Sequence, residues 1–141
     1  MTFSDGNTRS SVSAGDTEHL YDGKHFTFDG LGTIVESQNS DDENRPYFNP
    51  AQDVLGMIGG RVGQPLYSSY GINYDHSLEV KPGVYWQRNY GSSPAVTATY
   101  TQHLNYRDDI DASGAVNFTR EDSDGTPEND LAVSLNLSKK F

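Results

Sequence analysis

The sequence has 141 residues, enough for one domain, with 33% hydrophobic residues, a mean hydropathy of −0.72 and a formal net charge of −10. So acidic a chain repels nucleic acid and anionic membrane surfaces and attracts cationic partners. Without cysteine it has neither disulfides nor thiolate metal sites, and no run of about 18 apolar residues is present to make a transmembrane helix. Low hydropathy alone fits a disordered chain, but nine Tyr and six Phe are spread along alternating segments. A transmembrane β-barrel satisfies both facts, because each strand shows lipid one face and a wet lumen the other.

From the N-terminus, Met1-Thr2-Phe3-Ser4-Asp5-Gly6 has neither a basic n-region nor an apolar h-region, so the sequence is expected to be a piece of a longer envelope protein. Residues 8–20 read as a strand only because strands follow them. Residues 25–37 fit a strand in either register, and 38–52, with Asp41, Asp42, Glu43 and two prolines, read as a long polar loop. Residues 54–66 are glycine-rich with weak alternation, and Tyr67 to Ser69 are expected to turn. The stretch 70–90 alternates clearly: Ile72, Tyr74, His76, Leu78, Val80, Val84 and Trp86 against Asn73, Asp75, Ser77, Glu79, Lys81, Tyr85 and Gln87. Pro82 cannot donate to a ladder, so a bulge or break is expected beside it.

Residues 95–106 alternate as Val96, Ala98, Tyr100, Leu104 and Tyr106 against Thr97, Thr99, Thr101, His103 and Asn105, and Arg107 to Asp109 turn the chain into 110–121. Glu121 to Asn129 is acidic and rich in breakers and reads as a loop. The last strand, 130–141, sets Leu131, Val133, Leu135, Leu137 and Phe141 against Asp130, Ala132, Ser134, Asn136 and Ser138. The expected fold is an all-β antiparallel up-and-down meander of about seven strands, one part of a transmembrane barrel. Short turns alternate with longer loops, which places the short turns on the periplasmic side. An incomplete barrel with open edges is expected for the chain alone.

Leu135, Leu137 and Phe141 resemble the C-terminal signal that outer-membrane barrels present to their assembly machinery. Asp5-Gly6-Asn7, Ser37-Gln38-Asn39-Ser40, Arg45-Pro46-Tyr47-Phe48-Asn49-Pro50, and Gly83-Val84-Tyr85-Trp86-Gln87 with Tyr90-Gly91 extend the likeness over nearly the whole chain. Together they resemble the barrel region of the poly-β-1,6-N-acetyl-D-glucosamine export porins, with Pro46, Tyr47, Phe48, Asn49 and Pro50 the most specific block. The resemblance implies a bacterial outer-membrane porin segment, a barrel of about sixteen strands behind periplasmic helical repeats, and a partly deacetylated exopolysaccharide as the exported material in biofilm formation. The implied partners are that polymer, outer-membrane lipid, the barrel-assembly machinery and a periplasmic polysaccharide deacetylase, with no nucleic acid.

By the strand register, Asp75, Glu79, Asp111 and Asp130 point into the lumen, where repeated weak attraction suits a sliding cationic polymer. Each could equally serve only to keep the pore wet. Tyr85, and Tyr47 or Phe48, could stack on sugar rings, while Tyr74, Tyr100, Tyr106, Trp86 and Tyr90 suit interfacial girdles. His19, His25, His76 and His103 lack metal spacing, and Asp122 and Asp124 lack the rest of a calcium loop. Acid pairs such as Asp108-Asp109 lie in turns, and no nucleophile elbow or phosphate loop is present. No catalytic residue, metal or cofactor is expected, and the chain is read as non-enzymatic. A secreted or surface β-sandwich binding module is the alternative; it would bury the apolar faces against a second sheet.

Overall fold

A computed structural model describes residues 8–39, 51–123 and 126–140. Seven strands follow one another: β1 (Arg9–Asp22), β2 (Thr27–Asn39), β3 (Gln52–Ser69), β4 (Ile72–Gln87), β5 (Gly91–Tyr106), β6 (Ile110–Ser123) and β7 (Thr126–Lys139). Each pairs antiparallel with the next in one sheet of order β1 to β7, so the meander is as expected. β1 and β7 are its two unpaired edges. The strands run from 13 to 18 residues, longer than the roughly 9–11 that cross a bilayer at a tilt, so their ends reach into water.

Period two decides which side chain faces where. Reading straight across the ladders, His19, Asp29, Arg61, Glu79, Thr99, Asn117 and Ala132 fall in one row on one face. The same face holds the most shielded residues: Met57, Ala95, Asp29, Ser37, Asp53 and Gln87. On the opposite face Leu78, Val84, Trp86, Val116, Leu131, Val133 and Leu137 are all exposed, and Leu135 reaches 87%. This inversion, polar groups sheltered and aliphatic ones bare, arises when a sheet curls toward its polar side, crowding side chains there and splaying them apart outside. No second sheet among the described residues covers the apolar face. β1 breaks the outward apolar pattern, placing Ser10, Asp16 and Glu18 beside Val12 and Ala14, and Glu36 and Gln38 do so at the end of β2.

Three local expectations are corrected. Tyr67 to Ser69 belong to β3, and the turn lies at Tyr70–Gly71, both at positive φ (53° and 76°), the backbone that matches the twist of a two-residue hairpin. Glu121 to Asn129 is largely strand, with Glu121 opposite Glu128 and Asp122 opposite Pro127. Once β6 and β7 are paired, the backbone ladder continues past the membrane, where water solvates the carboxylates. With residues 88–90 and 124–125 as the other links at that end, only the 40–51 connection is long, so the loop asymmetry rests on that one segment.

At Pro82 the strand runs through and keeps its register, while the β3–β4 ladder passes from Met57–Gly83 to Gly60–Val80 without the two pairs between. The register shifts lie elsewhere, between His19 and Tyr21 and between Pro65 and Tyr67. Around Pro82 the backbones of β3 and β4 come close. A Cβ on Gly59 would meet the Val80 carbonyl and lie 2.7 Å from Lys81 Cα, and one on Gly83 would meet the Gly56 carbonyl. Glycine at these positions is a steric requirement.

Candidate functional site: the polar wall of the sheet

The polar face is built by neighbouring strands placing complementary groups at the same level. In its central row His19 Nδ1 lies 2.6 Å from Asp29 Oδ1, and Arg61 donates from Nε and Nη2 to Asp29 Oδ2 at 3.0 and 2.8 Å. Arg61 Nη1 reaches to 4.0 Å from Glu79, which is paired with Lys81 at 3.0 Å. Thr99 donates to Asn117 Oδ1 at 2.8 Å further along the row. Charge therefore alternates across β2, β3 and β4 beside His19 of β1, followed by neutral polar groups on the next two strands.

Two further clusters flank this band. Toward the Arg107–Asp109 turn, His103 stands between two carboxylates, with Nε2 2.8 Å from Asp111 and Nδ1 3.3 Å from Asp75. Toward the opposite end, Arg9 donates to Asp53 at 2.7 Å. Beyond it, Thr119, Glu121, Glu128 and Asp130 line a recess of about 440 Å³. Glu121, Glu128 and Asp130 have no hydrogen-bond or ion-pair partner among the described residues.

The five lumen candidates, Asp75, Glu79, Tyr85, Asp111 and Asp130, all stand on this face by register. Their surroundings differ. Asp75 and Asp111 share the one His103 and Glu79 is engaged by Arg61 and Lys81, whereas Asp130 is open. Tyr85 is half-shielded on the same wall opposite Leu55. Sequence reading missed the central band: Asp29 and Arg61 lie 32 residues apart in strands of weak alternation, and only the ladder register joins them. It also missed Glu121 and Glu128, which it placed in a loop. Pro46 to Pro50, Tyr47 and Phe48 among them, and Phe141 lie outside the described residues; Leu135 and Leu137 stand on the apolar face of β7.

The apolar wall carries one polar cluster of its own. His76 Nδ1 lies 2.9 Å from the Tyr100 hydroxyl and Nε2 3.0 Å from Gln64 Oε1, and Gln102 donates to the same hydroxyl at 3.0 Å. The four side chains are linked to one another by these hydrogen bonds on the face that meets hydrocarbon. His76, which lacks metal spacing, is held in this cluster.

A single-sheet wall with one apolar and one polar face, open at both edges, is part of a larger closed structure. Compared with known proteins, all of residues 1–141 match the family model described as the PgaA membrane beta barrel domain. The chain belongs to the PgaA membrane beta barrel domain family. It is 26% identical over 139 residues to the poly-beta-1,6-N-acetyl-D-glucosamine export proteins of Escherichia coli strain K12 and of Escherichia coli O157:H7. The match takes in 99% of this chain and 17% of each relative, so the chain spans about a sixth of their length. Among solved structures it superposes on a bacterial polysaccharide outer membrane secretin with a TM-score of 0.90 and 25% identity, over 98% of this chain and 47% of that one. This PgaA-family segment is thus part of a transmembrane β-barrel of the bacterial outer membrane, covering close to half of the chain it superposes on.

Proposed function

We propose that the polar face of this sheet forms part of the lumen wall of a pore that exports a partly deacetylated poly-N-acetylglucosamine from the cell, with no chemistry of its own. The observation that carries this reading is the open recess of Glu121, Glu128 and Asp130 at the mouth of a wall whose other carboxylates are mostly paired. A cationic amino-sugar polymer meets carboxylates that already have basic partners along most of the wall, where it can slide. It meets net negative charge at the mouth remote from the C-terminal end of β7, which draws it onward. The names of the curated relatives support the substrate class. The polymer, the assembly machinery and a periplasmic deacetylase are the partners this role requires.

The test is block of single-pore current in planar bilayers by amino-sugar oligomers of matched length, acetylated or deacetylated. Deacetylated oligomers should block at lower concentration. Neutralising the mouth with E121Q, E128Q and D130N together should raise the blocking concentration at least threefold while leaving the acetylated oligomers unchanged. Equal block by both oligomers in both proteins would contradict the proposal.

A further inference from the structure

The carboxylates of the polar wall differ in what holds them. Asp29, Asp53 and Glu79 each have an arginine or lysine beside them, a partner that keeps its proton far above neutral pH. Asp75 and Asp111 have a histidine instead, and both turn to the same ring of His103. The strand register sets this up. Asp75 lies directly opposite His103 on β4, while Asp111 lies opposite Asn105 on β6, one inward position nearer the Arg107–Asp109 turn.

The ring therefore stands between acids of two different strands, with Nδ1 3.3 Å from Asp75 Oδ2 and Nε2 2.8 Å from Asp111 Oδ2. A neutral imidazole has one N–H and one lone pair, and an ionised carboxylate offers lone pairs alone. Both contacts are hydrogen bonds at once when the ring carries two protons. With one proton, a nitrogen lone pair faces a carboxylate lone pair, and that acid is let go. All three side chains are part exposed on the lumen side, so a released carboxylate meets water and whatever passes. The neighbouring inward positions on β3 to β7 carry no charge that could replace the ring. The charges beyond them are the Glu79–Lys81 pair on β4, and Arg107, Asp108, Asp109 and Lys140 at the rim; none of these forms an ion pair with Asp75 or Asp111 among the described residues.

We propose that His103 decides whether Asp75 and Asp111 are free to attract the exported polymer. Protonated, it holds both acids and leaves the trio with one net negative charge. When the proton passes to lumen water, the ring holds one acid, the trio carries two negative charges, and the other carboxylate is open to an amino-sugar ammonium. The proposal rests on the polar face lining the pore. It makes the wall near the Arg107–Asp109 turn draw a cationic chain more strongly as pH rises.

The test is block of single-pore current through the full-length protein in planar bilayers, with trimethylated glucosamine oligomers, whose charge does not change with pH, as the blocker. Added from the side of the Arg107–Asp109 turn, they should block the parent at pH 9 at roughly half the concentration needed at pH 6, or less. His103→Arg keeps its donors at both pH values, so block should stay at the parent's pH 6 level throughout. His103→Gln has no proton to lose, so block should stay at the parent's pH 9 level. A histidine with a merely structural role would leave the pH response intact in both variants. If either variant loses the heat-modifiable migration of a folded barrel, His103→Lys or His103→Asn takes its place. An equal pH response in the parent and both folded variants, or no response in a parent that the oligomers still block, would overturn the role given to His103. Failure of the oligomers to block the parent at either pH would instead overturn the pore reading, and this proposal with it.

Discussion

Leu135 and Ser134 are adjacent in sequence and opposite in environment. Near the centre of the apolar run 131–137, Leu135 faces lipid, and Leu135→Arg should destabilise the folded barrel in vesicles by about 2–4 kcal/mol, read by denaturant unfolding. Ser134→Arg, on the wet face, should cost under about 0.5 kcal/mol. Equal effects would mean the register of β7 is wrong. Glycines separate in the same way. Gly59→Ala must push β3 from β4 and should cost about 1–3 kcal/mol by overpacking, whereas Gly56→Ala, with open space around its Cβ, should be close to neutral. The sequence showed residues 54–66 to be glycine-rich with weak alternation, but which glycine is sterically required depends on the partner strand and was not legible there. Facing direction, by contrast, was legible for β4 to β7, because lipid and water select opposite residues at every second position.

At the scale of whole strands, legibility followed that same selection. β4, β5 and β7 stood out because their outward residues are aliphatic or aromatic. β1 did not, since its outward row holds Ser10, Asp16 and Glu18 and offers no alternation to read. The acidic hairpin at the far end of β6 and β7 was misread for a related reason: breaker-rich composition signals a loop only when no partner strand supplies a ladder. In that hairpin Glu121 and Glu128 sit directly opposite one another, a like-charge pair that costs stability. Glu128→Lys should therefore stabilise the hairpin by about 0.2–1 kcal/mol, more at low salt than at high salt. The same substitution should weaken block by deacetylated oligomers. A variant both less stable and unchanged in block would contradict the role given to the mouth.

For the whole molecule, seven strands curl without closing, and the two edges require further strands for the wall to exist in lipid. The central claim is the sidedness of that wall. These 141 residues contain no cysteine, so single cysteines can be placed one at a time from Leu131 to Leu137 and probed in intact outer membranes with a small charged maleimide. Rapid labelling at Ala132, Ser134 and Asn136, with protection at Leu131, Val133, Leu135 and Leu137, is the predicted result. Uniform labelling, or protection of the even-numbered positions, would contradict a wall with lipid on its apolar face and a watery lumen on its polar one.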